Sequence, residues 1–310
     1  LIKTPVLFVS ETRGSVLEHA VSSLNDGDIC LMENTRFEDL DGKKEIQNDE
    51  ELGKYWASFG DLFINDAFGT AHRSHASNVG IARHLPSGIG FLMEEELKYL
   101  DENLKQPEKP YVVLLGGAKV SDKIGLLSNL LPKVDFCLIG GAMAYTFLKA
   151  EGLPIGKSLF EEEKLTFCKE LLEKYKEKII LPTDHLVQRK EEIVSCFLTD
   201  TKEEDIGYDI GKGTVKVFQM YLKDAKTIVW NGPMGMYEDP KFASGTKEIG
   251  EILSENPHTK IVCGGDCVAA VTMFDLEKKM THISTGGGAA LELLEGKELP
   301  GVAAIDEKTY

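Results

Sequence analysis

Lys119 and Lys123 stand inside Gly116-Gly117-Ala118-Lys119-Val120-Ser121-Asp122-Lys123, directly after the apolar run Tyr111-Val112-Val113-Leu114-Leu115. A strand followed by paired glycines and two long ammonium groups suits an anion. The glycines let backbone N–H groups approach phosphate oxygens, and each lysine adds a movable positive charge. Lysine at a solvated helix start is common for solubility alone, so the pattern needs company. Four more glycine clusters supply it: Gly140-Gly141, Gly232 with Gly235, Gly264-Gly265 and Gly286-Gly287-Gly288, each after an apolar run. Glycine is the default of any tight strand-to-helix turn, so one cluster means little. Five in one stretch of chain point to a ligand at the carboxyl ends of a sheet's strands.

Other residues offer complementary chemistry. Asp266 follows Gly264-Gly265 at a helix start, where a carboxylate either caps the helix or holds Mg²⁺ on nucleotide phosphates. Trp230-Asn231-Gly232-Pro233-Met234-Gly235 closes a strand with a rigid turn, and Glu238 beyond it could accept hydrogen bonds from a ribose; structural turning is the competing reading. Earlier in the chain, Glu33-Asn34-Thr35-Arg36-Phe37 and Asn65-Asp66-Ala67-Phe68-Gly69-Thr70-Ala71-His72-Arg73-Ser74-His75 each place an arginine just past a strand. Arg36 and Arg73 are candidate anion clamps, since a guanidinium grips carboxylate or phosphate bidentately; pairing with the chain's abundant acids is the alternative. His72, His75 and Asp66 match no standard zinc spacing. Gly152-Leu153-Pro154-Ile155-Gly156-Lys157-Ser158 is one residue short of a Walker A loop and follows a helix, so it is rejected as one, and no GxGxxG fingerprint supports a dinucleotide-dependent oxidoreductase.

The elements that must carry these residues alternate along the chain. Apolar runs at 6–9, 28–32, 62–64, 111–115, 135–139, 177–181, 226–230, 259–263 and 282–284 read as strands, and the continuous ones as parallel strands covered on both faces. Amphipathic helices are expected over Val16 to Leu24, Asp49 to Phe59, Leu126 to Leu131 and Glu161 to Tyr175, the last opened by Ser158 with Glu161 as a capping box. The class is α/β, with two doubly wound parallel-sheet lobes. At ~100–200 residues per domain, 310 residues make two domains. A polar-faced helix from Phe91 to Leu104, stopped by Gln106-Pro107-Glu108-Lys109-Pro110, reads as a hinge. The expected organisation is therefore a first lobe at 1–89, a hinge helix at 90–105, a second lobe at 106–292 and a tail at 293–310 returning toward the first. About three strands before the hinge are few for a doubly wound sheet, so the first lobe is expected to be truncated.

Composition narrows the function. With 35 Lys+Arg against 51 Asp+Glu the net charge is −16, which repels nucleic acid and anionic membrane, so any phosphate site must be local. The 6 cysteines form no CxxC pair and several lie in apolar runs, as expected of reduced thiols in the cytoplasm. Leu1-Ile2-Lys3-Thr4-Pro5 lacks the basic and apolar regions of a signal peptide, and no apolar run approaches the ~18 residues of a membrane span.

Taken in order, Glu33 to Phe37, Asn65 to His75, the run from Gly116 to Lys123, Gly140 to Leu148, Trp230 to Gly235 and Ser284 to Leu294 make this sequence resemble the phosphoglycerate kinase family from about residue 4 to residue 306. The resemblance implies two α/β lobes joined by a hinge helix, one holding 3-phosphoglycerate or 1,3-bisphosphoglycerate in a basic patch and the other Mg-ADP or Mg-ATP, with closure bringing them together. It implies a monomer and reversible phosphoryl transfer from 1,3-bisphosphoglycerate to ADP. Arg36, Arg73 and His72 would serve the phosphoglycerate. Gly117, Lys119, Lys123, Gly141, Gly211, Pro233, Glu238, Gly265, Asp266 and Cys267 would serve the nucleotide, with Asp266 as the Mg²⁺ ligand. Lys123 would track the phosphoryl group, and the amides of Gly287 and Gly288 would offset its charge. The sequence departs from the pattern in three ways. The family's Arg-Val-Asp-Phe-Asn-Val-Pro and Ser-His-Leu-Gly-Arg-Pro segments are absent, Cys267 replaces a hydroxyl residue, and Ala142 replaces a glycine beside the adenine wall. The first departure keeps a second expectation open: an ADP- or ATP-binding module without transfer.

Overall fold

The computed structural model describes residues 3–306, which divide into two compact units: residues up to Glu95 together with those from Glu298 onward, and Glu96–Lys297. The first unit runs β1 (Val6–Val9), α1 (Ser15–Ser22), β2 (Ile29–Met32), α2 (Glu50–Ala57), β3 (Phe63–Asn65) and β4 (Ser87–Ile89). Its strands pair two by two, β1 parallel to β2 and β3 parallel to β4, rather than in one sheet. Val6, Leu7 and Phe8 on β1 and Leu31 on β2 are exposed. The packed part lies around α2. Asp49 caps that helix by accepting from the Leu52 amide at 2.9 Å, and Leu52 and Trp56 bury against Ala76. The Trp56 indole N–H finds its partner in the Thr12 carbonyl at 2.7 Å. The helix Pro300–Asp306 belongs to this unit, its Gly301 amide donating to the Ala71 carbonyl at 2.8 Å.

The expected hinge region is helical throughout. α3 (Phe91–Leu97) continues through a π-helical segment, Lys98–Glu102, into α4 (Asn103–Lys105), and the division between the units falls inside α3, after Glu95.

The second unit runs β5 (Tyr111–Leu115), α5 (Ile124–Leu130), β6 (Phe136–Ile139), α6 (Met143–Ala150), α7 (Leu165–Lys174), β7 (Ile179–Ile180), β8 (Asp184–Arg189), β9 (Glu192–Phe197), β10 (Ile206–Ile210), α8 (Lys212–Leu222), β11 (Thr227–Asn231), α9 (Ser244–Glu255), β12 (Thr259–Cys263), α10 (Gly265–Met273), β13 (His282–Ile283) and α11 (Gly288–Leu294). Six strands form a parallel sheet in the order β13-β12-β11-β5-β6-β7. β5 and β11, the neighbours at its centre, are buried along their whole length, as their unbroken apolar runs require. Trp230, Phe218 and Leu253 fill the layer between this sheet and α8 and α9; full burial of one such side chain contributes about 1.5–3 kcal/mol. The chain winds outward from β5 through β6 to β7, and in the other direction from β11 through β12 to β13. The sheet's switch point therefore lies between β5 and β11, where such folds bind ligands.

One expectation fails here, and one sheet had no counterpart among the expectations. Ser158 and Glu161 form no capping box: the Ser158 hydroxyl accepts from the Gly207 amide at 2.9 Å, and the Glu161 carboxylate takes the Ser121 amide at 3.1 Å and hydroxyl at 2.6 Å. Tertiary donors outcompete the local pair, and regular α-helix begins only at Leu165, after a 3₁₀ turn over Glu162–Lys164. The antiparallel sheet of β10, β8 and β9 was also not expected. Its hairpin turns through Lys190 at φ 56°, with no glycine or asparagine to announce it.

His185 on β8 is buried, its ring between the Tyr145 hydroxyl at 3.1 Å and the Thr201 hydroxyl at 3.0 Å. Burial pushes its pKa down to about 4, so the folded protein keeps it neutral where the unfolded chain protonates it. A depressed histidine pKa gives stability that is present above the unfolded value near 6.5 and lost as pH falls toward 4. Unfolding free energy measured in urea is expected to drop by about 2 kcal/mol from pH 7 to pH 5 on this account, with most of that drop absent in His185→Gln.

Candidate active site

At the switch point the turns after β5, β6 and β11 interlock through their backbones. The Gly116 amide donates to the Asn231 carbonyl at 3.0 Å, the Gly117 amide to the Pro233 carbonyl at 2.9 Å and the Gly141 amide to the Met234 carbonyl at 2.9 Å. Side chains have no room there: a Cβ on Gly116 would stand 2.1 Å from the Pro233 carbonyl oxygen, and one on Gly141 2.5 Å from the Gly117 nitrogen. Gly117, Gly141 and Gly232 also take positive φ, at 96°, 64° and 93°. Beside the interlock opens a cleft of about 440 Å³.

Among the expected nucleotide residues, Gly117, Gly141, Pro233, Glu238 and Asp266 line this cleft. Ala142 lines it too, at φ −66°, a conformation any L-residue accepts, so the methyl needs no backbone strain. Asp266 stands exposed in the first turn of α10 and caps nothing, because the cap position is taken by Gly264. Its carboxylate makes no hydrogen bond or ion pair among the described residues, which leaves it available for a cation. One exposed carboxylate beside a phosphate site is the donor set Mg²⁺ takes when the ligand's phosphates supply the rest.

Lys123 and Lys119 diverge. Lys119 is exposed, near enough to Glu161 to help hold that carboxyl below the usual range once burial is offset by the Ser121 hydrogen bonds. Lys123 is not the solvated lysine a helix start suggests. It is partly buried, its ammonium donating to Oδ1 of Asn231, whose Nδ2 in turn donates to the Cys263 carbonyl at 3.0 Å. Burial pushes the Lys123 pKa down, with nearby acids including Asp122 and Asp266 pulling it back up. Asn231 thus fixes where this ammonium stands, a role no spacing in the sequence announces.

Five further expected residues are not among the cleft's lining. Gly211 is not among the cleft's lining: it turns β10 into α8 over Asp184, where a Cβ would come within 2.3 Å of the carboxyl. Gly207 and Tyr208 line the cleft in its place, as do Lys157, from the stretch that mimics a Walker A loop, and Leu159 just beyond it. Cys267 is fully buried beneath the first turn of α10, and burial holds its thiol well above the usual range, so it offers no group to the cleft. Gly265 opens α10 with nothing within 4 Å of a would-be Cβ. Gly287, at φ 50°, and Gly288 stand exposed at the start of α11.

The loop before those glycines is anchored by Glu96, a buried carboxylate of α3. It accepts from the Thr285 amide at 2.8 Å, the Thr285 hydroxyl at 3.0 Å and His282 Nε2 at 2.9 Å. Burial alone would raise its pKa, but hydrogen bonds from His282, Ser284 and Thr285 outweigh that and leave it below the usual carboxylate range.

In the first unit, Glu45 ties together the loops that bear the arginines. It accepts from the Thr35 hydroxyl at 3.2 Å, from the Ser77 amide at 3.0 Å and from the Ser77 hydroxyl. Asn78 holds the second loop through the Thr70 and Arg73 carbonyls at 3.2 and 2.9 Å. Burial holds the His75 pKa down; the Glu45 carboxylate opposes this, and the charges of Arg36 and Arg73 add to it, so both guanidinium groups lie within electrostatic reach of this histidine. Arg36 is paired with Asp39 at 2.7 Å, and Arg73 donates through Nε to the neighbouring His72 at 3.3 Å. Both arginines are exposed, so an anion could take either over from its present partner.

A family model described as phosphoglycerate kinase matches residues 1–297. The chain is 52% identical over 323 residues to the phosphoglycerate kinase of Lactobacillus delbrueckii subsp. lactis and 53% identical over 314 residues to that of Enterococcus faecalis; each alignment covers 99% of this chain and 79% of the relative. Among solved structures, phosphoglycerate kinase from Coxiella burnetii superposes with a TM-score of 0.88 at 36% identity, covering 98% of this chain and 77% of that one. The enzyme from Pyrococcus horikoshii OT3 gives 0.84 at 32% identity, covering 97% and 78%.

Proposed function

The chain belongs to the phosphoglycerate kinase family, and from that premise we propose how its residues share the work of moving a phosphoryl group reversibly between 1,3-bisphosphoglycerate and ADP. The observation that carries the reading is the open cleft at the switch point of the six-stranded sheet, lined by glycine turns, Glu238 and Asp266.

The nucleoside lies along Gly141, Ala142, Tyr208 and the turn 233–238, with Glu238 accepting from the ribose. The phosphates sit over the Gly117 turn, with Lys119 as a movable counter-charge. Asp266 holds Mg²⁺, which neutralises phosphate charge when bound. Lys123, steadied by Asn231, faces the transferring group, and the amides of Gly287 and Gly288 face its developing charge. The phosphoglycerate is held in the first unit by Arg36 and Arg73, with His72 orienting Arg73. No protein nucleophile is needed: a terminal phosphate oxygen of ADP attacks, the carboxylate of 3-phosphoglycerate leaves, and the protein contributes positioning and charge. All 6 cysteines are free, which supports a cytoplasmic enzyme. No helix among the described residues is long and apolar enough to cross a membrane. We take the acting form to be the monomer.

Calorimetric titration with Mg-ADP tests the nucleotide half: one saturable site is expected. Asp266→Asn is expected to weaken Mg-ADP by roughly tenfold or more, about 1.4 kcal/mol, while leaving metal-free ADP nearly unchanged. Equal losses with and without Mg²⁺ would remove Asp266 from the metal.

A further inference from the structure

Asp209 takes no part in the scheme above, yet it lies directly behind the cleft wall, and its surroundings are unusually specific. β10 shifts register between Gly207 and Asp209. On the cleft side of this irregularity lies Tyr208, whose carbonyl accepts from the Met236 amide at 2.8 Å. On the other side the Asp209 carboxyl, 4% exposed, accepts from the Gly245 amide at 2.7 Å, the Ser244 hydroxyl at 3.1 Å and the Ile210 amide at 2.9 Å. It fills the space that side chains would occupy at two glycines: a Cβ on Gly235 would stand 2.1 Å from its Oδ1, and one on Gly245 2.3 Å. The next residue of α9, Thr246, accepts from the Met234 and Gly235 amides at 3.0 and 3.3 Å.

We propose that Asp209 is a positioning residue for nucleoside binding: its carboxylate locks the first turn of α9 onto β10 and thereby sets the 233–238 turn, with Glu238, against Tyr208. Ionised, it accepts from all three donors; protonated, it brings an O–H of its own among them and the clamp loosens. Burial pushes its pKa up to about 7 against the pull of those hydrogen bonds, so both forms are populated near neutrality. Three titratable groups face it. Glu248 on α9 adds to the upward push, Tyr145 on α6 is itself raised out of range by burial, and His185 on β8 stays neutral above about pH 4. The nucleoside wall is therefore firmer at pH 8 than at pH 6.

This inference rests on the nucleotide reading, and adenosine, uncharged across this range, separates the two. Adenosine titrated into the 310-residue chain is expected to bind up to about tenfold more weakly at pH 6 than at pH 8. Asp209→Asn is expected to abolish that difference while keeping one Mg-ADP site. Ser244→Ala, which removes one donor without touching the core, is expected to move the midpoint of the pH profile upward. Adenosine affinity equal at both pH values in the parent, an unaltered pH profile in a folded Asp209→Asn, or an unmoved midpoint in Ser244→Ala would each overturn the role of Asp209 while leaving the nucleotide site standing. A parent chain that binds neither Mg-ADP nor adenosine would overturn the nucleotide reading and this inference with it.

Discussion

Lys123→Ala is expected to lower kcat for phosphoryl transfer by roughly 10²–10³-fold, about 3–4 kcal/mol of transition-state stabilisation, measured in both directions of the reaction. The ammonium is placed rather than free. Asn231 holds it at the end of β11, and Asn231 is itself fully buried and held by the Cys263 carbonyl. A charge fixed in that way needs no reorganisation when negative charge shifts between donor and acceptor. KM for Mg-ADP is expected to change little, because the ground-state contacts proposed for the nucleotide are to the glycine turns, Lys119 and the 233–238 wall. The fold should survive, since the mutation leaves one acceptor of Asn231 without its partner, a cost of about 1–3 kcal/mol. Parent-like turnover in a folded Lys123→Ala protein would take the lysine out of the mechanism; a matching loss of Mg-ADP affinity would make it a binding residue instead.

Gly116→Ala should be the most damaging single-methyl change in the site, costing about 3 kcal/mol or more in chemical denaturation. The nearest obstacle is backbone. The new Cβ would lie 2.1 Å from the Pro233 carbonyl oxygen and 2.8 Å from that of Gly232, and neither can turn away without breaking a turn that also receives the Gly117 amide. Because β5 and β11 are the central strands, parting their ends displaces the glycine turns and Pro233 together. Nucleotide affinity is expected to fall with stability. The contrast is Gly265→Ala, at a position with nothing within 4 Å of a would-be Cβ, where stability should hold. Equal melting of the two variants would show that the interlock relaxes more easily than its geometry implies.

Much of this molecule was legible in the sequence because the relevant physics is local. Tyr111-Val112-Val113-Leu114-Leu115 could only be a strand buried on both faces, and it is the sheet's central β5. Each glycine cluster marked a place where backbone must turn sharply after a strand, and the turns at 116–117, 140–141 and 232–235 do so at the cleft. Asp266 could be narrowed to cap or cation ligand from its position alone, and the arginines past β2 and β3 to anion clamps or partners of nearby acids. These inferences depend on a residue and its near neighbours, which any sequence displays.

What tertiary structure decided were choices among partners far apart in the chain. No described residue from elsewhere in the chain hydrogen-bonds or ion-pairs with Asp266, which stands exposed at the cleft. Ser158 and Glu161 had a good local pairing available, yet Gly207 and Ser121 offered better-placed donors once the chain closed on itself. Lys123 reads as a surface lysine until Asn231, 108 residues away, takes its ammonium. Lys157 sits in a false phosphate loop and still reaches the cleft, whereas Gly211 matches the family pattern and is not among the residues lining it, packing instead against Asp184. A side chain's local surroundings limit the bonds it can make; which of them it makes depends on the donors, acceptors and free volume that packing brings to it, and those come from elsewhere in the chain.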